Sequence, residues 1–287
     1  MSNHYREVLQ IIKPQPVIEG AGVRLKRSIA PAALDHLDPF LLFDHFGSGN
    51  PDDYIKGFPM HPHRGIETVT YMIEGVVNHK DSMGNSGTIS GGDVQWMTSG
   101  GGIMHEEMPQ PCQREMVGFQ LWVNLPARLK MTRPRYQNIT SDQIAEIIRK
   151  DGVKIRVIGG EVDGIRGPVT DIFADPTYID VTIPAKGSFS YPLEPGHTVF
   201  TYVFEGEGVF GAVSRLKGEL VTHPRLVVFN DTGLFEARAA ETYVRFLLIS
   251  GKPLKEPIAR YGPFVMNTQD EIQQALKDLK DGTFVQN

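Results

Sequence analysis

Two short stretches of this chain repeat. Thr70-Tyr71-Met72-Ile73-Glu74-Gly75 returns 131 positions on as Thr201-Tyr202-Val203-Phe204-Glu205-Gly206. Phe119-Gln120-Leu121-Trp122-Val123, with Pro126 after it, returns 127 positions on as Phe246-Leu247-Leu248-Ile249-Ser250 with Pro253. Nearly equal offsets within strand-type sequence are what a duplicated β-domain with a small loop deletion produces. A chain of 287 residues has room for two such domains, each burying its own core.

The rest of the chain agrees with that frame. Short β-branched and aromatic runs, punctuated by glycine and proline, occupy Phe40–Phe43, Thr68–Ile73, Val117–Val123, Tyr178–Ile183, Phe200–Phe204, Leu226–Phe229 and Tyr243–Ile249. Helix signals are few. Ser141–Lys150 carries Ile144, Ile147 and Ile148, opens with Thr140 and Gln143 at capping-box spacing, and stops at Asp151-Gly152. Thr268 and Glu271 form a second capping box before Ile272, Ala275, Leu276 and Leu279, and Gly282 ends that stripe. The fold class is therefore all-β with a few short helices. The domain boundary is expected beside Arg133-Pro134-Arg135, giving domains 1–137 and 138–287, the second ending in a helix.

Composition excludes several classes of function. The formal charge is −5, from 29 basic and 34 acidic residues, and no Lys/Arg run marks a nucleic-acid surface. Cys112 is the sole cysteine, so no intramolecular disulfide can form and a reducing compartment is expected. The first thirty residues mix charges with Pro and Gly rather than carrying the apolar core of a signal peptide. No apolar run approaches the roughly 20 residues needed to cross a bilayer. The expectation is a cytoplasmic monomer, with the nucleus also open in a eukaryote, that binds neither membrane nor nucleic acid.

One constellation carries chemistry. In His61-Pro62-His63 the two imidazoles lie at i, i+2, so on a strand they share a face. In His105-Glu106-Glu107 the outer two again share a face and Glu106 points away. Three imidazoles and a carboxylate suit a divalent ion such as Fe(II), Mn, Ni or Cu(II) and leave coordination positions open, whereas a structural zinc site would more often use cysteines. Glu67, at His63 + 4, has the same parity as Glu107's partners unless Gly65 kinks the strand. Parity alone does not choose between Glu67 and Glu107. Between the two histidine motifs, Gly91-Gly92-Asp93 reads as a tight turn. Thr98-Ser99-Gly100-Gly101-Gly102 reads as a close loop that delivers His105.

The segments Phe58–Val69, containing His-Pro-His-Arg-Gly, and Gly92–Pro109, containing Thr-Ser-Gly-Gly-Gly-Ile-Met-His-Glu-Glu-Met-Pro, closely resemble the pirin family of the cupin superfamily. Gly22-Val23-Arg24, Arg27-Ser28 and Leu37-Asp38-Pro39-Phe40-Leu41-Leu42 fit the same pattern. The resemblance implies two tandem jelly-roll-type cupin barrels and one divalent metal per chain in the N-terminal barrel. Fe(II) comes first as that metal, with Mn, Ni, Cu or Zn as alternatives. It also implies His61, His63, His105 and Glu107 as ligands, with Glu67 left behind them. The activity it implies is a quercetin 2,3-dioxygenase, which takes a flavonol and dioxygen and uses Glu107 as the catalytic base. The alternative it carries is a non-catalytic, metal-dependent regulator that binds a transcription factor or a metabolic enzyme.

The second half lacks this equipment: an offset of 131 puts Pro192 and Glu194 where His61 and His63 stand, and His197 and His223 are isolated. A metal-free C-terminal barrel is expected. His79 and Asp81 sit in a polar hairpin and read as turn chemistry. Asp44 and His45 read as structural, Trp96, Phe119 and Trp122 as core, and Cys112 as passive.

Overall fold

The computed structural model describes residues 5–30 and 34–285. The chain divides into two compact units, and neither coincides with a half of the sequence. One joins the N-terminal stretch up to Pro14 to Asp142–Pro253; the other joins Gln15–Ser141 to the C-terminal stretch from Leu254. The expected boundary at 137 is thus corrected in three places. Strand β1 (Val8–Ile12) pairs antiparallel with Arg225–Phe229, which draws the N-terminus into the second unit. The strand Arg135–Ile139 pairs with Val94–Thr98, so the first unit runs on to Ser141. The C-terminal helix buries Ile272 and Ala275 in a cluster with Phe264, Met266 and Phe284, inside the unit that carries the histidines. The first two are pairings between residues distant in sequence, and no local pattern encodes them.

The Gln15–Ser141 part of the histidine-bearing unit contains two antiparallel sheets. Its strands are β2 (Gln15–Glu19), β3 (Val23–Ile29), β4 (Phe40–Ser48), β5 (Phe58–His63), β6 (Ile66–Glu74), β7 (Val76–Asp81), β8 (Ser86–Ser90), β9 (Val94–Thr98), β10 (Ile103–Pro109), β11 (Met116–Asn124) and β12 (Arg135–Ile139). Seven form a sheet in the order β12-β9-β6-β11-β4-β3-β2, and four form a sheet in the order β5-β10-β7-β8. The sheets face each other. Val23, Leu25, Met72 and Met116 from the first share one buried cluster with Val77 and Ile89 from the second. Helix α1 (Gln269–Asp281) has the capping box read from its sequence, Thr268 and Glu271 bonding reciprocally, and Gly282 ends it in the left-handed conformation.

The other unit is built on a long antiparallel pair, Thr198–Ala212 against Leu234–Gly251. The helix expected over Ser141–Lys150 is not formed. Ser141–Gln143 makes one 3-10 turn, its first N–H taken by Asp93 at 2.7 Å, and Ala145–Ile148 is a strand paired with Lys154–Gly159. There Ile147 packs on the core and Ile148 points out, 63% exposed, which is strand alternation rather than a helical stripe. A β-branched run beside an open sheet edge pairs with it. All seven expected strand runs are strands, and no helix among the described residues is long and apolar enough to cross a membrane.

Candidate metal centre

β5 carries two prolines, Pro59 and Pro62, which a central strand would not accept; β5 is the edge of its sheet. Its pairing with β10 sets His61 opposite His105 but Phe58 opposite Glu107, a bulge that absorbs Pro59 and Met60. The bulge also orients His61. Its Nδ1 lies 2.9 Å from the Pro59 carbonyl, which can only accept, so Nδ1 carries a hydrogen and Nε2 is the atom turned toward the other imidazoles. That Nε2 is 3.0 Å from Nε2 of His63.

The glycine loop after β9 delivers the third imidazole. Gly100, at φ +48°, lies so close to Thr132 that a Cβ would stand 2.0 Å from its carbonyl oxygen, so no side chain fits. β10 then places His105 between His61 of β5 and Asp81 of β7. The ring centroids of His61, His63 and His105 lie 4.5–5.0 Å apart, and one ligand atom from each lies within 4.8 Å of the others. Among the described residues this is the group able to hold a metal ion. Glu106 points away to Lys80, at 3.0 Å, as its parity requires.

Glu107 lies outside that tightest group but faces the same interior. It is 8% exposed and accepts a hydrogen bond from the Thr70 hydroxyl at 3.1 Å. Burial pushes its carboxyl up, against the pull of His61 and Thr70. Burial first, then the neighbouring imidazoles, pushes His63 and His105 well below the ordinary imidazole range. Both are therefore neutral near pH 7, with lone pairs to offer. His105 is 1% exposed and neither ring nitrogen has a hydrogen-bond partner. Two orphaned nitrogens on a buried imidazole fit a ligand to a cation, because a packed histidine would satisfy at least one of them.

Glu67 faces the other way. Gly65, at φ +81°, turns the chain between β5 and β6 so tightly that a Cβ would meet the Val265 carbonyl at 2.0 Å. The turn breaks the parity that would have carried Glu67 inward. Glu67 accepts instead from Thr98 at 2.7 Å, its cross-strand partner, while Thr70 on the same strand points to Glu107. Two buried cations fix the turn. Arg64 bonds Asp278 at 2.6 Å and lies over the Phe284 ring at 4.5 Å. Lys130 donates to the carbonyls of Gly65 and Val265 and to Asn124.

A cavity of about 330 Å³ opens on His61, His63 and Glu107. Leu25, Leu42, Phe46, Phe58 and Trp122 form its apolar walls, and the C-terminal stretch adds Arg260 and Pro263. Trp122, expected in the core, stands edge-on to His63 at 5.1 Å and lines this cavity; Trp96 and Phe119 are buried as expected. Asp44, read as structural, does hold Arg27 through two bonds, but it also lines the cavity. Asp81 performs turn chemistry, accepting from the N–H groups of Met83 and Asn85. His79 instead turns inward and stacks on Tyr136. Sequence reasoning missed Thr70, Gln120, Arg64 and Lys130. Thr70 and Gln120 had one signal, a polar residue at an inward position of an otherwise apolar strand.

The pirin profile matches residues 22–123, and the profile of the pirin C-terminal cupin domain matches residues 178–285. The chain belongs to the pirin family. This pirin is 44% identical over 282 residues to a Pseudomonas aeruginosa protein provisionally named quercetin 2,3-dioxygenase, covering 97% of this chain and 98% of that one. It is 43% identical to a pirin-like protein of Caulobacter vibrioides, over 97% of this chain and 99% of the other. Its fold superposes on a crystal structure titled quercetin 2,3-dioxygenase from Acinetobacter baumannii with a TM-score of 0.88 and 34% identity. That match covers 99% of this pirin and all of the other chain.

Proposed function

We propose that this pirin is a metal-dependent dioxygenase that cleaves flavonols such as quercetin. The reading rests on one observation: three imidazoles, those of His63 and His105 buried and neutral, converge beside a carboxylate at the end of an apolar cavity. The relatives named for quercetin cleavage support it. His61, His63 and His105 would hold one divalent ion, with Glu107 as the fourth ligand and Fe(II) first among the candidates. When bound, such an ion supplies Lewis acidity toward a flavonol's hydroxyl–carbonyl pair and an electron-transfer partner for dioxygen.

The remaining tasks fall to the side chains. A cavity of about 330 Å³ sits at the small end of the range for drug-sized ligands, and its apolar walls exclude water from a flat aromatic substrate. Trp122 meets His63 edge-on and supplies a ring face beside the imidazoles. Glu107 is placed to take the proton of the flavonol 3-hydroxyl at a carboxylate oxygen, and burial, which raises that carboxyl's affinity for protons, suits a general base. Thr70 fixes the rotamer of Glu107 by donating to Oε1.

The test is turnover by protein loaded in turn with Fe(II), Mn, Ni and Cu. Quercetin loss should match oxygen uptake and carbon monoxide release one for one. Metal-loaded protein that leaves quercetin and oxygen untouched with every ion would overturn the reading and favour a regulator.

A further inference from the structure

The inner face of the seven-stranded sheet carries an unbroken polar row. Cross-strand partners share a face. The register places Arg27, Asp44, Gln120, Thr70, Gln95 and Asn138 opposite one another, strand by strand, from β3 to β12. The rows on either side are largely apolar: Leu42, Trp122 and Thr68 on one, Phe46, Gly118 and Met72 on the other. Asp44, Thr70 and Gln95 in this row are buried, which is unfavourable unless each finds a partner. Each does. Arg27 and Asp44 bond through two contacts of 2.7–2.8 Å, and Gln95 donates to Asn138 at 2.9 Å.

Gln120 is only half partnered. One end of its amide lies 2.7 Å from the Thr70 hydroxyl, and the amide makes no other hydrogen bond among the described residues. The single hydrogen of that hydroxyl goes to Glu107, so the Gln120 nitrogen is the end that donates to Thr70, and the amide oxygen faces the cavity that Gln120 lines. Asp44, next in the row, lines the same cavity and can only accept.

We infer that Gln120 and Asp44 set substrate specificity by binding a ring hydroxyl remote from the group that meets Glu107. The inference rests on the flavonol reading of the same site. Apolar rows flanking a polar one fit a flat aromatic ring bearing hydroxyls. A carboxylate there would face Asp44 and Glu107, and a bare hydrocarbon would leave the cavity-facing end of Gln120 without a partner.

The experiment compares two probes, quercetin and 3-hydroxyflavone, which keeps the 3-hydroxyl and lacks the remote ring hydroxyls. Binding is followed by fluorescence quenching of the metal-loaded protein under argon, for the wild type and for Gln120→Met. The wild type should bind quercetin at least about tenfold more tightly, the effect of one well-made hydrogen bond to a ligand hydroxyl. In Gln120→Met that preference should shrink to about threefold or less, through weaker quercetin binding. The wild-type comparison stands on its own if the variant does not fold. Equal affinity of the wild type for both probes overturns the inference and leaves the flavonol reading intact, as does a variant that loses both probes alike. Failure of both probes to bind the wild type sinks the flavonol reading and the inference together.

Discussion

The two units use the same strand pairing to opposite ends. In the histidine-bearing unit, β6 and β11 set Thr70 opposite Gln120 on the inner face, and a cavity lies above them. In the other unit the matching pair sets Thr201 opposite Leu248, and the interior is filled. Phe189, Phe210, Phe235 and Phe246 pack there, with Phe210 and Phe246 only 5.1 Å apart edge to face. One interior trades packing for a polar floor and an imidazole cluster; the other is dense apolar core. The inner-face residues, rather than the framework, separate a site from a scaffold.

The largest expected effects break that comparison in both directions. His105→Ala should abolish metal retention by elemental analysis while the β-sheet circular dichroism is kept, because His105 has no hydrogen bond of its own to lose. Phe246→Ala should do the reverse, lowering stability by about 3–5 kcal/mol in urea titration, as large-to-small core changes do. Its metal content should be unchanged. A His105→Ala protein that unfolds would show that the site carries folding energy.

The local parts of this architecture were legible. Strand alternation, the Thr268–Glu271 box and the His-x-His and His-x-Glu spacings are set within a few residues, and each reappears in the structure. What was hidden depended on distant partners. Ser141–Lys150 has helical spacing but lies beside a strand it can pair with. The second sequence echo matches Phe119 to Phe246, yet Tyr71 stands opposite Phe119 while Tyr202 stands opposite Leu247. The true correspondence is one residue later, and a one-residue slip exchanges the faces of a strand. For Glu67, which parity left open, the deciding residue was a near one: the left-handed Gly65 between β5 and β6 put it on the opposite face.

Glu107 and Glu67 sharpen the comparison within one unit, as a carboxylate on the cavity face and one on the opposite face. Glu107→Gln should weaken metal binding and reduce flavonol turnover by about 10²-fold, the usual effect of losing a general base. Glu67→Gln should leave metal occupancy unchanged, since its carbonyl oxygen can still accept from Thr98. Occupancy and oxygen uptake for both variants at one pH decide it. Loss of metal from the Glu67 variant alone would show that Glu67 is the ligand.

The smallest effect concerns protons. In the metal-stripped protein, His63 and His105 have affinities for protons well below the ordinary value of 6.5 because burial disfavours their charged forms. The unfolded chain therefore binds more protons than the folded one as the pH falls through about 6.5, and stability must fall with it. Above that pH both states hold the imidazoles neutral and the contribution is flat. In the other unit His197 is lowered by burial as well, but there Asp175 and Glu194 pull against the shift. The steeper part of the acid loss should therefore belong to the metal site. Replacing His105 by Ala removes one titrating group, so the slope of stability against pH below 6.5 should shrink by up to about 1.4 kcal/mol per pH unit, one proton's worth. Urea midpoints of the stripped wild type and His105→Ala between pH 5 and pH 8 measure it. Parallel curves would mean that His105 titrates alike in both states and is not held neutral by its surroundings.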